Sequence, residues 1–261
     1  MTRRQNKKFF YGLFFGCLLL LVLVALIFRL RPGPSCHDNR QNQNETGVDC
    51  GGSCLACAVK ALQPVRVFPA TFLSYGDGSL DLIGEIENPN ASYAVRHLSY
   101  RFVLHGTAGE QAVVDGGSMI LPHERKHLLA PNRQRPTFPL QSVTLTIGFS
   151  PTEWVAVMPG QETIRVQLLN DQLGRDANGR IRAVRAELIN AGDRSYPAVV
   201  AKFLLRDNND RLLATAISEV GTLEPLERRT VQVTLPPFNA PPPEGEIETV
   251  QVQFEAEAAL R

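Results

Sequence analysis

Hydrophobic positions along this chain follow two different patterns. Residues Phe9 to Phe28 form 20 consecutive residues without a charge, a length that spans about 30 Å of hydrocarbon as a helix. From Leu62 onward, short runs rich in Val, Ile, Leu and Phe alternate with polar residues and are separated by turn residues. This period of two is typical of half-buried β-strands. The sequence therefore predicts one N-terminal helix followed by a mainly β region.

The apolar segment predicts a transmembrane helix over residues 9–28. It is longer than the apolar core of a cleaved signal peptide, and it ends in Arg29-Leu30-Arg31 instead of a small-residue cleavage site. Four basic residues precede it and two follow it, so residues 1–8 are expected to form a cytoplasmic basic tail. The prediction is a single-pass protein of the plasma (inner) membrane that contacts lipid through residues 9–28 and has its C-terminal domains outside.

The β region repeats itself. Aligning Ser92-Tyr93 with Ser195-Tyr196 gives an offset of 103 residues, and the same offset places Glu124-Arg125 on Glu227-Arg228. Two homologous domains are therefore predicted, at residues 61–156 and 161–260. Pro159-Gly160 lies between them without a long flexible linker, so the pair is expected to form a fairly stiff rod. Short strands separated by turns predict a β-sandwich for each copy.

The second copy contains the run Phe203-Leu-Leu-Arg-Asp207. This run resembles the FxLYD family of small β-sandwich domains, which is related in shape to the late-embryogenesis-abundant type 2 domain. Phe203, Leu205 and Asp207 match the family pattern, and an arginine replaces its tyrosine. The first copy departs further, because His105-Gly106 stands where the acid belongs. The resemblance implies two tandem immunoglobulin-like β-sandwiches and implies no chemistry.

Four cysteines follow the apolar segment closely: Cys36, Cys50, Cys54 and Cys57. In an oxidising setting they are expected to form two disulfides within a cysteine-rich module over residues 29–60. Four cysteines allow three pairings, and the sequence does not choose among them. The alternatives are a tetrahedral zinc site and a redox-active Cys-x-x-Cys pair, although no βαβ pattern surrounds it.

The residues between the cysteines resemble a cysteine-rich module of bacterial cell-surface proteins, C-x-D-G-x-x-N-x-x-E-x-G-x-D-C-G-G-x-C-x-x-C. The matching residues are Cys36, Asp38, Asn42, Glu45, Gly47, Asp49, Cys50, Gly51, Gly52, Cys54 and Cys57. Among them Asp38, Asn42, Glu45 and Asp49 offer the oxygen ligands that calcium takes, at a spacing unlike that of an EF-hand. The competing interpretation is that these side chains cap turns through local backbone hydrogen bonds.

The run His123-Glu124-Arg-Lys-His127 contains H-E-x-x-H, which on a helix would bind zinc and supply a glutamate base. The run is confined between Pro122 and Pro131 and aligns with a strand-forming segment of the second copy. Side chains four apart on a strand do not converge as they do on a helix. An exposed loop-to-strand segment is therefore predicted, and no enzyme.

Charge narrows the choice of partners. With 27 Lys and Arg against 26 Asp and Glu, the chain has no overall field that would attract nucleic acid. The predicted function is that of a membrane-anchored cell-envelope protein. It presents its sandwiches to a protein or glycan partner for adhesion, scaffolding or protein binding. No cofactor is expected unless calcium binds. The alternatives are a subunit of a secretion or pilus-like assembly, packed through Gly12 and Gly16, and a zinc hydrolase using His123 and His127.

Overall fold

The computed structural model describes residues 3–30, 35–42, 44–158, 164–237, 247 and 249–256. The chain divides into two compact units, residues 1–60 and 61–261. Pro159 and Gly160, the predicted junction between the two β-domains, lie outside the described residues. The boundaries 61–156 and 161–260 accordingly stay predictions.

The first unit begins with helix α1 (Arg3–Leu30). In the part of the chain that the structure describes, no helix is both long enough and apolar enough to cross a membrane. The predictions of a transmembrane helix over residues 9–28 and of a single-pass plasma-membrane location with a cytoplasmic N-terminus are therefore wrong.

The rest of the first unit is a small module of turns. It contains one bridge between Gly47 and Cys50 and ends in the short helix α2 (Cys57–Lys60). Because little of its chain is regular and few of its apolar side chains are buried, covalent links are expected to hold it together. Two disulfides do so, as predicted.

The second unit consists of antiparallel strands, which confirms the mainly β prediction. The strands of its first half are β1 (Arg66–Val67), β2 (Thr71–Ser74), β3 (Leu80–Glu87), β4 (Tyr93–Gly106), β5 (Gln111–Ile120), β6 (Arg125–Gln134), β7 (Leu140–Gly148) and β8 (Trp154–Ala156), with a 3-10 turn at Pro151–Glu153 before β8. Those of the second half are β9 (Val166–Arg175), β10 (Ile181–Asn190), β11 (Tyr196–Arg206), β12 (Leu212–Leu223), β13 (Arg228–Thr234) and β14 (Thr249–Glu255).

Each half has two sheets with a hydrophobic core. In the first half β3 pairs with β6 on one side and with β1 and β2 on the other, while β4 pairs with β5 on one side and with β7 and β8 on the other. The sheets of the second half run β13-β10-β9 and β12-β11-β14. Alternate residues of each strand face the core, and the largest fully buried ones include Phe102, Phe203 and Tyr196.

A buried asparagine has the same role in both halves, which supports the internal repeat. Its side-chain amide donates to two backbone carbonyls and its oxygen accepts the N–H two residues ahead. Asn88 Nδ2 donates to Tyr93 O (2.7 Å) and Leu121 O (3.0 Å), and Asn190 Nδ2 donates to Arg194 O (2.8 Å) and Leu223 O (3.0 Å). Each asparagine thus joins the end of one strand to a loop and to the other sheet.

The two halves also bury surface against each other. Ile83, Leu129 and Leu204 alternate with core residues along their strands and so point away from their own cores. All three are nevertheless buried. Strands β6 and β12, one from each half, are in contact. The outer faces of the two sandwiches therefore form a common interface, called the junction below.

Candidate functional site

The cysteine-rich module resolves the pairing that the sequence left open. Cys36 bonds to Cys54 and Cys50 bonds to Cys57. Cys36, Cys54 and Glu45 lie close enough together to suggest a metal site. The two sulfurs form one disulfide, however, so they are not the thiolates that zinc requires. Cys17 in α1 is the free cysteine.

The predicted calcium ligands serve as caps for turns. Asp49 Oδ1 accepts the N–H groups of Asp38 and Asn39 at 2.9 and 3.0 Å. Glu45 Oε2 accepts those of Asn42 and Asp49 at 3.1 and 3.2 Å. These carboxylates accept hydrogen bonds from backbone donors, so the geometry favours capping and lends calcium no support.

The H-E-x-x-H run lies in a turn and a strand, as predicted, but it is exposed only in part, because Lys126 is buried. His123 has a left-handed backbone (φ 54°) in the turn before β6, and Glu124 Oε2 accepts the N–H of Leu121 at 2.7 Å. His127 lies within β6, where Gln253 Nε2 is 3.0 Å from its Nδ1 and Gln253 Oε1 accepts its backbone N–H. Burial lowers the pKa of His127, which keeps the ring neutral. The glutamate and this imidazole are engaged in structural hydrogen bonds.

The residues shared with the FxLYD pattern support the fold. Phe203 and Leu205 are fully buried in the core of the second sandwich. Asp207 Oδ1 accepts the N–H groups of Asn209 and Arg211 at 3.0 and 2.8 Å, and so closes the turn after β11. Hydrophobic packing and turn closure account for all three positions.

A cluster of buried charges crosses the junction. Glu255 Oε1 accepts hydrogen bonds from Lys126 Nζ at 2.5 Å, from Lys202 Nζ at 2.6 Å and from Ser118 Oγ at 2.7 Å. The lysine side chains are only 4% and 7% exposed. Burial opposes ionisation of Glu255, but the two lysine charges outweigh it and lower the pKa of the carboxyl to about 2. Lys126 and Ser118 belong to the first sandwich and the other two residues to the second, so this junction cluster ties them together.

A second buried group crosses the junction beside the first. Asp81 Oδ2 accepts hydrogen bonds from Tyr75 Oη at 2.5 Å and from Thr215 at 3.1 Å (N) and 2.7 Å (Oγ1). Tyr75 is itself part of the hydrophobic core of the second sandwich. Burial first, and then the charge of Asp81, raise the pKa of Tyr75, which keeps its hydroxyl protonated as a donor. Asp81 and Thr215 are 134 residues apart in the sequence, so it is the folding of the chain that brings them together.

A cleft of about 950 Å³ opens beside the junction cluster. Strands β4, β5 and β7 and the 3-10 turn of the first sandwich form one side, and β11 and the end of β14 form the other. Its lining includes Arg96, Ser99, Gly117, Gly148, Phe149 and Ala198. Its volume lies in the range of about 300–1,000 Å³ typical of ligand sites.

Sequence reasoning did not find the residues of the junction. One signal was available in β3, whose residues 80–84 are buried on both faces (Leu80, Asp81, Leu82, Ile83, Gly84). Along a strand that is covered on one face only, buried and exposed residues would alternate.

No protein-family model matches the chain, and no curated protein matches it either. Among solved structures, red sea bream transglutaminase is similar at 12% identity and a TM-score of 0.24 over 77% of this chain and 30% of that one. The C-terminal globular domain of the oligosaccharyltransferase from Pyrococcus abyssi is similar at 12% identity and 0.20 over 74% and 46%. A tandem CBM22 domain from Paenibacillus barcinonensis is similar at 9% identity and 0.14 over 74% and 83%.

The chain therefore spans less than a third of the transglutaminase and less than half of the oligosaccharyltransferase domain. TM-scores this far below 0.5 identify neither a fold family nor a function. The FxLYD and cysteine-module resemblances stay predictions.

Proposed function

We propose that this chain is a non-catalytic binding scaffold, in which two β-sandwiches form one stiff arm that presents a surface to a protein partner. The observation that carries the proposal is the junction cluster of Lys126, Lys202 and Glu255. A buried charge separated from its partner is costly, typically about 3–5 kcal/mol. Any movement that separates the sandwiches would break these contacts, so the cluster holds them in one orientation.

Stiffness matters for a scaffold because a preorganised surface loses less conformational entropy on binding. Glu124 and His127 of the H-E-x-x-H run form hydrogen bonds to other groups of the fold. The carboxylates of the cysteine-rich module are engaged in the same way. Both groups therefore contribute to holding the shape of the molecule, which supports the proposed binding role.

The proposal is tested by distance measurement between the sandwiches. Spin labels are placed at the exposed positions Ala108→Cys and Asn208→Cys in a Cys17→Ser background of the full chain. We expect one narrow distribution of distances by pulsed electron paramagnetic resonance, and a broad one after Glu255→Ala is added. A broad distribution without that substitution contradicts a stiff arm.

Elemental analysis of the purified chain tests the catalytic alternative. We expect no stoichiometric zinc. Zinc that is present at one equivalent and lost in His123→Ala would favour a hydrolase over the scaffold.

A further inference from the structure

The cleft beside the junction cluster has a floor of unusually small residues. Ser99 of β4 pairs with Gly117 of β5 on one side and with Gly148 of β7 on the other. Residues directly opposite one another on neighbouring strands share a face of the sheet. Gly117, Ser99 and Gly148 therefore form a row across three strands, and all three line the cleft.

The two glycines are not required by the fold. A Cβ added at Gly117 would come no closer than 3.9 Å to another atom, and one added at Gly148 no closer than 3.4 Å, which is ordinary contact. Neither has a left-handed backbone. Other positions of the same sandwich do require glycine. A Cβ at Gly116 would lie 2.2 Å from the Tyr100 ring, and one at Gly84 would lie 2.4 Å from Leu145.

Glycine inside a strand is unfavourable, and it often marks a place where a ligand or another backbone approaches closely. Among the described residues, the atoms nearest to a Cβ at Gly117 and Gly148 are Leu98 O at 3.9 Å and Ser99 Oγ at 3.4 Å, so the space above the two glycines is open to a molecule from outside. The row leaves the backbones of β5 and β7 exposed at this point. A flat floor of exposed backbone suits an extended chain better than a bulky side chain.

The opposite wall of the cleft carries a strained residue. Ala198 of β11 has φ 52°, a left-handed conformation that is uncommon for residues other than glycine. It lies at an irregularity where the pairing of β11 with β12 shifts between Tyr196 and Val199. Bulges and strained backbones of this kind are concentrated near binding sites, where they direct the chain toward a ligand.

The charges of the cleft narrow the choice of ligand. Its two carboxylates are engaged, Glu153 with His97 at 2.9 Å and Glu255 with the two lysines of the junction cluster. Among the described residues, Arg96 is the lining cation that forms no ion pair. The lining holds one aromatic ring, Phe149, which packs edge-to-face on Trp154 at 5.5 Å. One such ring offers little of the flat apolar surface on which a sugar would stack.

We infer that the cleft is a binding site for an extended polypeptide segment of a partner protein, with small side chains where it crosses the row of Gly117, Ser99 and Gly148 and a carboxylate that meets Arg96. This inference rests on the proposed scaffold, since both sandwiches supply walls of the site. It identifies the part of the scaffold that binds. It also explains why two strands keep glycines that their own packing does not need.

The test uses the full chain and a phage-displayed library of 12-residue unstructured peptides. Peptides enriched on the unmodified chain are measured against Gly117→Val/Gly148→Val, which fills the floor, and against Val113→Leu, which adds bulk to the same outer face of β5 outside the cleft. We expect at least a tenfold loss of affinity for the filled variant and none for the control. Arg96→Gln is expected to weaken several-fold those peptides that carry a carboxylate, and to leave the others unchanged.

Thermal unfolding of each variant shows whether it is folded. If the double variant does not fold, the single variant Gly117→Val is measured in its place. Equal affinity for the filled variant, or no enrichment at all, overturns the inference. Binding of soluble oligosaccharides on a glycan array, lost in the filled variant, would also overturn it in favour of a sugar ligand. The spin-label distances separate the two claims: a narrow distribution without peptide enrichment leaves the scaffold standing and removes only the cleft.

Discussion

Replacing Glu255 by glutamine should weaken the junction more than any surface substitution. The change removes the only carboxylate that the structure places within hydrogen-bonding distance of Lys126 and Lys202, at 2.5 and 2.6 Å, and leaves two buried ammonium groups facing a neutral amide. Breaking a buried ion pair in this way costs about 3–5 kcal/mol. With a urea dependence of about 2 kcal/mol per molar, the unfolding midpoint should fall by about 1.5–2.5 M.

Urea unfolding is followed by circular dichroism, which reports on both sandwiches, and by fluorescence of the single tryptophan, Trp154, which reports on the first. Asp115→Asn is the matched control, because it breaks the fully exposed pair with Arg101 and is expected to leave the midpoint unchanged. A triple variant, Lys126→Met with Lys202→Met and Glu255→Leu, should recover most of the loss because it removes the buried charges together. If Glu255→Gln costs no more than the control, water solvates these charges and the argument for a fixed junction fails.

The same carboxylate predicts a dependence on pH. The pKa of Glu255 is lowered from an ordinary 4.5 to about 2, because the two lysine charges outweigh the opposing effect of burial. A group whose pKa is lower in the folded state stabilises the fold above its unfolded pKa and loses that contribution as the pH falls toward the folded value. Stability of the unmodified chain should therefore drop between pH 4.5 and 2 more steeply than that of Glu255→Gln. Parallel curves for the two proteins would refute this assignment.

Three further substitutions follow from buried hydrogen bonds and from the disulfides. Tyr75→Phe removes a donor from buried Asp81 and should cost about 1–3 kcal/mol in thermal unfolding; an unchanged midpoint would show that Asp81 finds another donor. Asn190→Ala leaves two carbonyls without their donor and should cost about 1–3 kcal/mol by urea titration, with a smaller value contradicting its role as a clamp. Replacing Cys36 and Cys54 together by serine opens a link across 18 residues worth about 3 kcal/mol, so limited proteolysis should cut residues 35–57 faster; equal rates would mean that the other disulfide suffices.

Local patterns in the sequence predicted much of the fold. Apolar and polar residues alternate along segments of β9, β10 and β14, as expected for strands with one face toward a core, and the structure has strands there. The two-disulfide prediction is confirmed, while the pairing depends on where the chain places each sulfur and was not predictable. The prediction for residues 9–28 was wrong. Their composition predicts a membrane helix, but among the described residues no helix is long and apolar enough to cross a membrane.

The candidate site was not predictable from local patterns. The junction cluster joins residues 53 to 137 positions apart, and a lone lysine or glutamate in a strand resembles any exposed residue of that strand. The cleft depends on which of several strand glycines are dispensable. Gly116 and Gly117 are adjacent in sequence, yet only the first has a neighbour that forbids a side chain. Such a distinction exists only in three dimensions.

The two halves differ at aligned positions of the junction. When Asn88 is aligned with Asn190, Ile83 falls at the position of Arg185. When Arg125 is aligned with Arg228, Leu129 falls at the position of Gln232. The first copy is apolar and buried at both outward positions, whereas the second is polar and exposed.

A hydrophobic outward position is unfavourable on an isolated sandwich, because it leaves apolar surface in water. Apolar residues at these two aligned positions in the first copy alone mean that this face of the first sandwich is suited to receive the second, while the corresponding face of the second is suited to solvent. Pairing of this kind is asymmetric, because different faces of the two sandwiches meet. The tandem is therefore one structural unit, in which the orientation of the cleft walls depends on both halves.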